Sequence, residues 1–86
     1  MPRYHFNLSD GRDLPDLVGT ELSGIAEARL EAIRLTGAVL NESPEDFWDA
    51  GSWEMVVTDE GGLILFSLHL LSVDAAAAQP RRSGSG

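Results

Sequence analysis

Between Trp53 and Leu70 the chain alternates strictly. Trp53, Met55 and Val57 have one parity and Glu54, Val56 and Thr58 the other. Successive side chains of a strand point to opposite faces, so the first set makes an apolar surface and the second a mixed one. After Asp59-Glu60-Gly61-Gly62 the alternation resumes, with Ile64, Phe66, Leu68 and Leu70 on one face and Leu63, Leu65, Ser67 and His69 on the other. The pattern predicts a β-hairpin. An even loop joins Trp53, Met55, Val57, Ile64, Phe66 and Leu68 into one apolar face and sets Glu54 beside Ser67 outside. An odd loop would mix the two sets. The expected connection is therefore Asp59 to Gly62, with Gly62 left-handed.

Upstream, Tyr4, Phe6 and Leu8 alternate with Arg3, His5 and Asn7, which predicts a first strand over 3–8. Ser9-Asp10-Gly11-Arg12 is a turn signal, and a short second strand fits Val18 to Leu22. From Gly24 to about Asn41 the spacing becomes helical. Ser23 is the expected N-cap, and Ala26, Leu30, Ile33, Gly37 and Leu40 form the stripe expected to face the sheet. Gly37, unfavourable inside a helix, is expected to allow close approach to that sheet. Ser43-Pro44 ends the helix, and Phe47 and Trp48 in the following segment are expected to fold back as a lid on the core. The predicted architecture is α+β, one α-helix on a small antiparallel sheet of three or four strands in the order β-(β)-α-β-β.

With 86 residues the chain has room for a single small domain, expected over 1–74. The remainder, 75–86, reads as a disordered tail whose SGSG end resembles a vector-derived scar. So short a unit has a thin core, and association with a copy of itself would bury more.

Charge narrows the partners. Fourteen acidic residues face six arginines and no lysine, a net charge of −8. Two of those arginines, Arg81 and Arg82, lie in the tail, which makes the body more acidic still. Nucleic acid and anionic membranes need clustered positive charge, so neither is an expected partner. The absence of cysteine excludes disulfides and thiolate metal sites. The start, MPRYHFNLSDG, contains no apolar stretch, and the run LILFSLHLLSV is too short to span a bilayer. A cytoplasmic protein is expected.

Chemistry has few candidates. His5 and His69 both belong to the outer sheet face, and with Glu54 they could gather as a polar cluster if the first and last strands paired. Two solvent-facing strand histidines are the plainer reading. Asp10, Asp13 and Asp16 form a partial ligand set without the glycine and closing glutamate of a calcium loop, and read as a solvated loop. The serines have no base near them in sequence, so nucleophilic catalysis has no support. No catalytic residue, metal or cofactor is expected, and the chain is read as a non-enzyme. Val56, Leu63 and Leu65 are the expected interaction surface, three aliphatics on a face that one helix leaves open.

Several stretches in order resemble one family: MPRYHFNLSDG, then GTEL at 19–22, then AEARLEAIRLTGAVL, then the tryptophan-led WEMVVTDEGGLILF. This is a class of small, acidic, uncharacterised bacterial proteins grouped as a domain of unknown function, and the resemblance spans about residues 1 to 72. Asn7 stands where relatives often have histidine, and Leu17-Val18 replaces a more acidic stretch. The resemblance implies no activity and carries over no functional residue. The strands and Glu-Ala helix are also similar to the HicB-type antitoxin fold, without its aspartate-x-proline-glycine region or its DNA-binding extension. Two functional expectations follow. The first is a self-associating protein interaction module, a homodimer through sheet face or edge. The alternative is an antitoxin-like partner of a small basic RNase-type toxin, with acidic surface standing in for RNA.

Overall fold

A computed structural model describes residues 1–76. Its elements run β1 (Arg3–Ser9), β2 (Asp13–Leu14), β3 (Thr20–Glu21), α1 (Ile25–Glu42), α2 (Pro44–Ala50), β4 (Ser52–Thr58) and β5 (Ile64–Leu71). All pairings are antiparallel, in the order β2-β1-β4-β5, with β3 beside β1 on the same edge as β2. The fold is α+β as expected, with two helices on five strands. The expected tail, apart from Ala75 and Ala76, lies outside the described residues.

β4 is the centre. It pairs with β1 on one side and β5 on the other, and Trp53, Met55 and Val57 are its buried residues. Tyr4 and Phe6 from β1 and Ala28 and Ala32 from α1 complete the buried core. The parity expected of the hairpin holds: Phe66 and Leu68 pack against this core, while Glu54 and Ser67 share the other face.

The register reaches that parity by another route. Asp59 and Leu63 close the turn, the Asp59 amide donating to the Leu63 carbonyl at 3.0 Å, so the loop has three residues. The Gly62 amide donates to Asp59 O at 3.1 Å, and Gly62 sits at φ 88°, the left-handed residue expected there. Asp59 Oδ1 also accepts from the amides of Gly61 and Leu63. A three-residue loop alone would set Met55 against Ser67. Instead Thr58 pairs with Ile64 and Val57 with Phe66, leaving Leu65 as an extra residue. This β-bulge restores the sorting and slides Glu54 from Ser67 to His69. It also exchanges two side chains. Ile64 turns out to solvent at 65% exposure, and Leu65 packs against the core.

The helix departs further from expectation. Its N-cap is Gly24 in extended conformation, with no side-chain cap from Ser23. Ala28 and Ala32 face the sheet, with Leu35 and Leu40 beside them. The stripe expected there is rotated away: Leu30 and Ile33 are 52% and 60% exposed, and Ala26 and Gly37 are exposed too. A Cβ on Gly37 would meet nothing within 4 Å. The cause is complementary size. Tyr4, Phe6, Trp53 and Met55 already fill the layer above the sheet, so the helix can approach only through alanine. α2 begins with Pro44 at its first turn and ends at Gly51, whose amide donates to Phe47 O at 2.8 Å. Phe47 packs against the core, whereas Trp48 is exposed and meets Phe47 edge-on at 5.3 Å. The lid is therefore Phe47 alone.

Trp53→Ala should cost about 3–5 kcal/mol, a large share of a small domain's stability, read as a lower urea midpoint. Gly37→Ala should raise the same midpoint by roughly 0.5–1 kcal/mol in dilute solution, because the position is helical and unobstructed. A loss of stability there would show that the helix does approach a neighbour at Gly37.

Candidate functional site

The outer sheet face carries the polar candidates. Glu54 and His69 are cross-strand partners, with Oε2 and Nε2 3.0 Å apart. Ser67 Oγ lies 3.2 Å from the same Nε2. Serine, histidine and carboxylate thus converge, but on one nitrogen. The Glu54 carboxylate and the Ser67 hydroxyl both lie against Nε2, so the imidazole does not stand between them. A nucleophile relay requires the two partners on opposite ring nitrogens, and this arrangement is a surface hydrogen-bond cluster.

His5 does not join it. β4 lies between β1 and β5, and His5 pairs opposite Thr58, four residues along the strand from Glu54. That separation is about 13 Å at strand rise. His5 Nδ1 instead donates to the Asp16 carbonyl at 2.7 Å. A carbonyl can only accept, so the proton is on Nδ1. The expected cluster of His5, Glu54 and His69 is thus split. Among the described residues no group of three or more His, Cys, Asp or Glu side chains is placed to hold a metal ion.

Asp16 has a role that sequence reading missed. β2 and β3 pair with the two ends of β1 and leave its middle open. The Asp16 carboxylate fills the gap. Oδ2 accepts from the Phe6 amide at 3.1 Å, and Oδ1 from Gly19 at 2.9 Å and Val18 at 3.2 Å. The Asp16 amide donates to Asn7 Oδ1 at 2.9 Å, and Asn7 Nδ2 reaches the Val56 carbonyl at 3.1 Å. Gly19, at φ 77°, is pressed so close to β1 that a Cβ would come within 2.8 Å of Arg3 Cγ and 3.0 Å of the His5 ring. Partial burial pushes the Asp16 carboxyl up, but the amides of Gly19, Phe6 and Val18 and the charge of His5 outweigh it and hold it below the ordinary aspartate value. The only sequence signal was the G-T-E-L glycine, which marks the tight spot without naming the carboxylate that it serves.

The other acids of the run are also occupied or apart. Asp10 grips Arg12 at 2.8 Å, and this hydrogen bond holds its carboxyl below the ordinary aspartate range despite slight desolvation. Asp13 belongs to β2. A cavity of about 150 Å³ opens between the β1–β2 turn and the α1–α2 elbow, lined by Leu8, Leu40, Phe47 and Trp53 with Arg12 at its rim. Because Asp10 already holds Arg12, the cavity offers no free cation to an anionic ligand among the described residues.

The expected interaction surface is not continuous. Val56 is half-buried and shares the outer face with Glu54's neighbours, and Leu63 is exposed at the turn. Leu65 is turned inward by the bulge, so the three do not form one patch. Among the described residues, open apolar surface includes the Leu30/Ile33 stripe of α1, the Leu17-Val18 loop and the β5 edge. That edge is eight residues long and has no Asp, Glu, Lys or Arg.

Residues 3–72 match a family described as Domain of unknown function (DUF6894). The chain belongs to that family. The match covers every strand and both helices, as the resemblance over 1 to 72 implied. No curated protein and no solved structure matches the chain. Among its described residues no helix is long and apolar enough to cross a membrane.

Asp16→Asn should lower stability at neutral pH by about 1.5–3 kcal/mol, the loss expected for hydrogen bonds to a charged group, with an amide nitrogen then facing backbone donors. Because the folded carboxyl is held below its unfolded value near 3.9, its contribution is complete above that pH and is lost as pH falls through the folded value. Thermal melts between about pH 5 and 2 should therefore drop less steeply for Asp16→Asn than for the unchanged chain. Equal slopes would remove Asp16 from this role.

Proposed function

We propose that the domain acts without catalysis, as a protein interaction module that associates with a copy of itself. The observation that carries this reading is the apolar surface left in water. Among the described residues the buried core consists of seven, two of them alanines. Leu30, Ile33, Ile64 and Leu71 meanwhile remain more than half exposed. A monomer of this size gains little by leaving such side chains open, and burying them against an identical neighbour is the simplest use of them. The acidic body does not favour nucleic acid, which agrees with a protein partner. The Ser67–His69–Glu54 geometry adds no reason to invoke a reaction.

Sedimentation equilibrium of the full chain across micromolar to millimolar concentration tests the reading. A concentration-dependent dimer is expected. A monomer throughout that range would overturn it.

A further inference from the structure

The solvent-facing stripe of α1 has a stricter period than a surface helix needs. Ala26, Leu30, Ile33 and Gly37 are spaced by four, three and four residues, with Leu40 three further on at its margin. This is the 3.5-residue repeat of a helix seam, and it lies on the side of α1 away from Ala28 and Ala32. Among the described residues nothing covers it: Leu30 and Ile33 are mostly exposed and a Cβ at Gly37 would meet nothing within 4 Å.

Resting on the self-association reading, we infer that α1 packs antiparallel against α1 of a second copy of this chain, with Leu30 against the partner's Ile33 and Glu27 beside the partner's Arg34. The residues flanking the seam decide both the occupant and the direction. Glu27 and Arg34 lie on one flank, Arg29 and Thr36 on the other. In a parallel pair opposite flanks meet, which puts Arg29 beside the partner's Arg34, a like-charge contact. In an antiparallel pair like flanks meet, and two symmetric Glu27–Arg34 attractions form. The same arrangement sorts the seam by size. Leu30 and Ile33 form the two central layers, and Ala26 meets the partner's Gly37 at each end. Small residues at both ends let the helix axes close, and the two large pairs fill the middle. Among the described residues Arg34 is held only by Glu31 at 3.3 Å, an exposed pair of little strength that leaves the guanidinium available. Four layers make a small interface, so the dimer is weak and concentration-dependent.

Charge reversal in the full chain, read by sedimentation equilibrium with circular dichroism as the fold check, tests the inference. Arg34→Glu and Glu27→Arg should each weaken association by about tenfold, and the double reversal should restore it. Leu30→Glu with Ile33→Glu should abolish it while the fold persists, since both side chains are solvent-facing. Strengthening by Arg34→Glu alone would show parallel packing and overturn the inference. A dimer that survives Leu30→Glu with Ile33→Glu but is lost in Ile64→Lys with Leu71→Lys would place the contact at the β5 edge. That result overturns the α1 inference while the self-association reading stands. A chain that is monomeric before any substitution overturns both.

Discussion

Everything in this domain depends on keeping one face of β4 apolar while both of its edges are hydrogen-bonded. Trp53, Met55 and Val57 can be buried only if β5 presents Phe66 and Leu68 on the same side and β1 presents Tyr4 and Phe6. The turn after Thr58 pulls against this. Its aspartate and glycine chemistry favours a three-residue loop, which by itself would deliver the polar half of β5 to the core. One extra residue at Leu65 settles the conflict. The cost is local: Ile64 goes to solvent, and the rest of the strand is sorted correctly.

The layer above the sheet explains the helix. Four bulky side chains rise from β1 and β4, so whatever lies on them has to be small. α1 carries two stripes of similar period, one of alanines with Leu35, the other with Leu30 and Ile33. The more hydrophobic stripe is the poorer fit. Taking the alanine side allows close contact with aromatic rings and leaves the larger aliphatics outside. The thin core and the open seam are thus two consequences of one packing choice.

The far edge of the sheet is held by polar chemistry. β1 has short strands at either end and none in the middle, and a buried, unpaired amide at Phe6 would be costly. Asp16 meets that need and the two amides of its own loop together, with Asn7 tying the loop to β4. An acidic residue that looks like one of a calcium-binding run is spent on backbone donors.

The alternation of β1, β4 and β5, the helical span and the left-handed Gly62 were legible from residue order, because each rests on local periodicity or local backbone chemistry. The face that α1 buries was not, since periodicity shows that stripes exist and only the partner layer decides which one fits. Nor were the Leu65 bulge, the Glu54–His69 pairing and the separation of His5, because register and strand order come from competition between distant segments. Asp16 is the plainest case. Its type and its neighbours say turn, and only the gap between two short strands, formed once the sheet has assembled, makes it a structural anchor.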